Sequence, residues 1–173
     1  PFEDLPQGAI QVKKERFYTK MLAAIRKMDV VDIFFFGHGG NWSGEGSLDP
    51  IPMELRSKIR LVYNGGRGAI ENADYFIHSG VGAYISHQGL SISPLFAEPF
   101  LDSWFLGTPL RISLSLGNTV ASYSLARWGS MASHLGPFEK RLLLGESLDT
   151  LMQGTHADGR GNMGLTFSSR CWK

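Results

Sequence analysis

Chemistry in this chain is concentrated in one imidazole, His38, set within Gly37-His38-Gly39-Gly40. A histidine gives and takes protons near neutral pH, so it suits a general base or a metal ligand. A metal site built from His38, His87 and a carboxylate would need a second ligand at helical spacing, and neither histidine has one. His156-Ala157-Asp158 falls in a stretch read as loop, and His78 and His134 are read as structural or exposed. No metal and no cofactor is therefore expected.

Other candidates are weaker. Gly65-Gly66-Arg67-Gly68 could cradle a phosphate through its amides, but the Lys-Ser/Thr of a P-loop does not follow it. A strand running into His-Gly-Gly would suit the oxyanion hole of a lipase, yet no serine stands in a G-x-S-x-G elbow. The single cysteine, Cys171, excludes an internal disulfide and a CxxC knuckle, and nothing in Arg170–Trp172 marks it as a nucleophile. Ser43, Ser86 and Ser91 fall near the same strand ends without a base positioned beside them.

The elements that would position His38 are legible as runs. Val30–Phe36 is seven residues, six of them apolar, and reads as a strand buried on both faces of a parallel sheet. His38 follows at its carboxyl end, where open α/β sheets place their ligand crevice. Ser57–Tyr63 alternates and ends in Asn64-Gly65-Gly66-Arg67-Gly68-Ala69, and Gly82–Ser86 ends in His87-Gln88-Gly89. Between these two runs Asn72 caps a helix through Tyr75, Phe76 and His78, which Gly80 stops. Three strand ends are thus expected along one edge.

Ahead of the first strand, Phe17, Met21, Ile25 and Met28 form the apolar stripe of an amphipathic helix, and Ala9–Val12 reads as a short edge strand. The basic side of that helix reads as a solvated face. Ser93-Pro94 and Thr108-Pro109 each open a helix; the second carries Leu110, Leu114, Ala121, Leu125 and Trp128, and helix is preferred over strand for Ile112–Leu116. Pro137–Met152 reads as a helix interrupted near Gly145, Gly154–Gly164 as a loop, and Leu165–Ser168 as a last strand. The pattern is one α/β domain, a mostly parallel sheet flanked by helices.

Composition agrees. Apolar residues at 43%, charged residues at 19% and a net charge of +1 describe an ordinary globule with no field to steer a polyanion, so no nucleic acid partner is expected. No apolar run nears the roughly 18 residues of a membrane span and no signal peptide is visible, so a cytoplasmic protein without a membrane partner is expected.

The apolar strand with Gly37-His38-Gly39-Gly40 resembles the histidine motif of the caspase-like cysteine peptidases, the caspase–legumain–gingipain clan with its bacterial CHAT-type domains. Gly80–Ser86 is similar to a later strand of that family. Ser91–Gly107 is similar to the helix after it, with its Ser-Pro, Phe, Trp and Gly. The resemblance runs from Ala9 to Gly107. It implies a three-layer sandwich in which His38 is the general base and the next strand ends at the catalytic cysteine. Here that stretch is Leu61–Ala69, and matching Gly68 to the family's glycine puts Gly66 where the cysteine would be, with Arg67 beside it. Were a thiol present, the Gly39 and Gly66 amides would be candidates for the oxyanion hole. The resemblance thus implies a domain that keeps the base and lacks the nucleophile, an interaction or regulatory module with a peptide or protein in its cleft. Asn64, Gly65, Arg67, Gly39 and His87 are its binding candidates. The alternative is a working endopeptidase with its nucleophile elsewhere. The family also carries a strand and helix ahead of those seen here, so this unit is expected to be missing, in a fragment of a longer chain, with a partner or another segment at that sheet edge.

Overall fold

The computed structural model describes residues 7–36, 46–66, 69–89, 93–131 and 148–168. Three parallel strands form the centre: β1 (Val31–Phe35), β2 (Ile59–Asn64) and β3 (Ala83–His87). A fourth, β4 (Ala157–Gly161), joins β3 antiparallel, giving the order β1-β2-β3-β4. The helices are α1 (Gln7–Lys27), α2 (Met53–Arg56), α3 (Ala73–His78), α4 (Ser93–Phe105), α5 (Leu110–Met131) and α6 (Leu148–Thr155), with a 3-10 turn, Ala69–Asn72, leading into α3.

Every residue of β2 and β3 is buried because helices cover both faces. On one face Leu61, Tyr63, Ala83 and Ile85 pack against Phe96, Phe100 and Trp104 of α4 and Leu110 of α5. On the other, Ile33, Val62 and Tyr84 pack against Ile25 of α1, Phe76 of α3, and Leu48 and Ile51. This is the α/β architecture expected from the alternating runs, with a mostly parallel sheet between two helical layers. Among the described residues β1 is an edge strand, and only Ile33 of its five residues is buried.

Several elements differ from the sequence reading. Ala9–Val12 is not a strand but part of α1, which runs unbroken from Gln7. Four weakly alternating residues lose to a helix whose backbone bonds propagate at little cost once nucleated. The stretch from Gly154 to Gly164 is not all loop. Ala-Asp-Gly-Arg-Gly has no strand propensity, and β4 forms because β3 offers a ladder in the register His87↔Ala157 to Ala83↔Gly161. Gly161 has φ +89°, and a Cβ there would sit 2.5 Å from the Gly82 carbonyl oxygen, so only glycine fits where β4 closes on β3. Leu165–Ser168 is no strand; Leu165 is a buried plug whose carbonyl accepts the first amide of α5, Leu110 N–H, at 2.7 Å. Ile112–Leu116 is helical within α5, as its longer stripe requires. The 148–152 part of the helix read at Pro137–Met152 is the start of α6; its remainder lies outside the described residues. Among the described residues no helix is long and apolar enough to cross a membrane.

Candidate functional site

Because β1, β2 and β3 are parallel, their carboxyl ends share one edge of the sheet. Phe35 is the register partner of Asn64, and Asn64 of Ser86, so the three chains leave the sheet side by side. The Gly65 N–H donates to the Phe35 carbonyl at 2.9 Å and carries the β1–β2 ladder one step past β2. His38 and Gly39 come two and three residues after Phe36, and Arg67 follows Gly66; all three lie outside the described residues, as do Ser43, Ser91, His134 and Cys171.

Asn64 governs the turn that leaves β2. It is 1% exposed. Its Oδ1 accepts the Gly66 N–H at 3.0 Å, its Nδ2 donates to the Tyr84 hydroxyl at 3.2 Å, and its carbonyl accepts the Ser86 hydroxyl at 2.7 Å. The Tyr84 hydroxyl in turn donates a hydrogen bond to the Ala69 carbonyl at 2.7 Å, and burial pushes its pKa up to about 12. Asn64, Tyr84 and Ser86 thereby form one buried network that holds the Gly66 amide on one side and the Ala69 carbonyl on the other. The Gly66 amide, an oxyanion-donor candidate on the sequence, is already engaged by Asn64, and Gly66 is itself buried.

His87 stands on the other face. Along β3, Ala83, Ile85 and His87 point toward α4, whereas Tyr84 and Ser86 point toward α3. Its ring is fully buried, edge-on to Phe96 at 5.0 Å, with Nδ1 2.7 Å from the Thr155 carbonyl and Nε2 2.9 Å from the Tyr63 hydroxyl. A carbonyl only accepts, so Nδ1 carries the proton and the Tyr63 hydroxyl donates to Nε2. Burial lowers the His87 pKa to about 4, which keeps the ring neutral. The strand ends thus bring Asn64 and His87 to one edge, but on opposite faces. His87, a binding candidate on the sequence, ties β2 and β3 to the end of α6 and has no exposed surface.

Sequence reasoning missed Tyr63, Tyr84 and Asn118. The Asn118 side chain pairs with both backbone groups of Ala157 at 2.8 Å and fastens β4 to α5. The two tyrosines carried a signal in strand parity, since each falls opposite a polar strand end. Asn118 carried none within the helical stripe. Also unread was an ion pair near the amino ends of β1 and β2. Arg60 grips Asp32 through Nε at 2.9 Å and Nη2 at 2.6 Å, both side chains are over nine-tenths buried, and Trp104 Nε1 donates to the same carboxylate at 3.1 Å. The Arg60 guanidinium also donates to the Thr166 and Phe167 carbonyls and lies over the Trp104 ring. It anchors the chain after β4 at the end of the sheet opposite its carboxyl edge.

A surface depression of about 450 Å³ opens between α2 and α3, lined by Arg56, Glu71, Asp74, Tyr75 and His78 among others. It adjoins the segments entering β2 and β3, not the edge they leave by. Among the described residues no three histidine, cysteine or carboxylate side chains cluster as metal ligands. No protein-family model, curated protein or solved structure matches the chain.

Proposed function

We propose that this chain is a caspase-like domain of the CHAT type that keeps the histidine of the peptidase dyad and carries glycine in place of its cysteine. It works in the cytosol as a catalytically inactive interaction or regulatory module, with a peptide or protein partner at the carboxyl edge. The observation that carries this reading is the parallel register of β1 and β2, Phe35 against Asn64. His38 lies three residues beyond Phe35 and Gly66 two beyond Asn64, so base and nucleophile positions leave neighbouring strands at the same end. That arrangement is what a base-activated nucleophile requires, and glycine supplies neither thiol nor hydroxyl. The engagement of the Gly66 amide by Asn64 supports the same reading, because the turn offers its donor inward instead of to a carbonyl substrate.

Incubation of the intact chain with a set of peptide chloromethyl ketones, followed by mass spectrometry, tests this. The expected result is no stoichiometric labelling and no turnover of fluorogenic peptides. Labelling that disappears in Cys171→Ala would instead mean a working cysteine peptidase with a relocated nucleophile.

A further inference from the structure

β1 bonds to β2, and among the described residues no strand lies along its other side. In a parallel ladder, alternate residues turn both backbone groups to the same neighbour. Val31 N–H donates to the Lys58 carbonyl and the Phe35 carbonyl accepts Gly65 N–H, so Val31, Ile33 and Phe35 serve β2. The backbone groups of Asp32 and Phe34 therefore point outward.

Apolar side chains gather beside this edge. Phe36 is 57% exposed, Phe105 51%, Leu106 86% and Phe167 43%. The three aromatics are tied to the strand ends: Phe34 touches Phe105 at 6.3 Å between ring centroids, Phe105 touches Phe167 at 5.3 Å, and Phe36 leans on Tyr63 at 5.5 Å; Leu106 follows Phe105 in the chain. Soluble proteins guard an open strand edge with lysine or proline, or cover it. Val-Asp-Ile-Phe-Phe contains neither residue.

We propose that this edge is a homodimer interface, in which β1 pairs antiparallel with β1 of a second copy about a two-fold axis at Ile33. Self-complementarity favours a second copy over any other strand. Asp32 then stands opposite the partner's Phe34, and Phe34 opposite the partner's Asp32. Each pair exchanges both of its ladder bonds, so every outward backbone group of β1 is satisfied at once. No unpaired charge enters the junction, because Arg60 and Trp104 already hold the Asp32 carboxylate. The four exposed side chains offer roughly 450 Å² per copy, over half of the ~800 Å² each partner gives to a standard interface, and the paired backbone adds to it. This inference is independent of the dyad reading and would stand if that reading failed.

Light scattering behind size exclusion, over a dilution series, tests it together with hydrogen exchange at the same concentrations. The expected result is a species of twice the 19.1 kDa chain mass, with Asp32 and Phe34 amides that lose protection on dilution. Phe105→Lys with Leu106→Lys, both exposed positions, should weaken self-association by on the order of tenfold or more. Tyr123→Lys, 69% exposed on α5, should leave it unchanged. A folded monomer at every concentration overturns the proposal. So does a dimer indifferent to the Phe105 and Leu106 changes, or a monomer whose Asp32 and Phe34 amides stay protected because another part of the chain covers them.

Discussion

The Tyr63 hydroxyl donates to His87 Nε2 at 2.9 Å inside the core, and with the Thr155 carbonyl on Nδ1 it fixes a neutral imidazole. The ring's pKa is lowered to about 4 from the ordinary 6.5, so below pH 6.5 the unfolded chain takes up a proton that the folded chain refuses. Stability contributed by this group is complete above that pH and drains as pH falls toward 4, by about 3 kcal/mol if the whole difference is realised. Urea midpoints measured between pH 7.5 and pH 4.5 should fall accordingly. His87→Gln should flatten the profile across that window, whereas an equally steep profile in the variant would assign the effect to other groups.

Tyr63→Phe removes the donor and leaves Nε2 buried without a partner. The expected cost is about 1–3 kcal/mol at pH 7.5, most of it the desolvation of the orphaned nitrogen. Its check is the urea midpoint in the Tyr63→Phe chain against that in Tyr63→Phe/His87→Leu, which should recover part of the loss.

Asp32 and Arg60 should behave as a unit. Breaking the pair with Asp32→Ala strands a buried guanidinium and should cost about 3–5 kcal/mol, whereas Asp32→Leu with Arg60→Met should cost far less. A double-mutant cycle on thermal or urea unfolding reads the difference. Additive single changes would show that the two charges do not depend on each other.

Much of this was readable before the fold. β1 and β3 are legible as short apolar runs and β2 as an alternating one, and their parallel sense follows from the intervening elements; β1 is nonetheless an edge strand in which only Ile33 is buried. β4 could not be read, since Ala157–Gly161 has nothing in its composition that prefers a strand; its partner supplies the preference. The Asp32–Arg60 pair was hidden because 28 residues separate its members and β1 reads as uniformly apolar around one acid. At the carboxyl edge the sequence placed Asn64 and His87 together, but strand parity sends their side chains to opposite faces. The buried hydroxyls of Tyr63 and Tyr84, each matched to one of these ends, decide what remains available there.

Asn64→Ala should release the turn after β2. It strips the acceptor from Gly66 N–H and one partner from the Tyr84 hydroxyl, with an expected cost of about 1–3 kcal/mol. Hydrogen exchange at Gly66 should accelerate while the amides of β3 keep their protection. Uniform acceleration across the sheet would mean that Asn64 holds the sheet together and does not act locally.

If Gly66 occupies the nucleophile position of the proposed dyad, a thiol placed there should pair with His38. In a Cys171→Ser background, the rate at which Gly66→Cys is alkylated by iodoacetamide is followed against pH, with and without His38→Ala. A paired thiolate should react with an apparent pKa well below the ordinary thiol value of about 8.5, and His38→Ala should restore that ordinary value. An ordinary thiol profile in a folded Gly66→Cys chain, unmoved by His38→Ala, would mean that the two positions do not form a dyad.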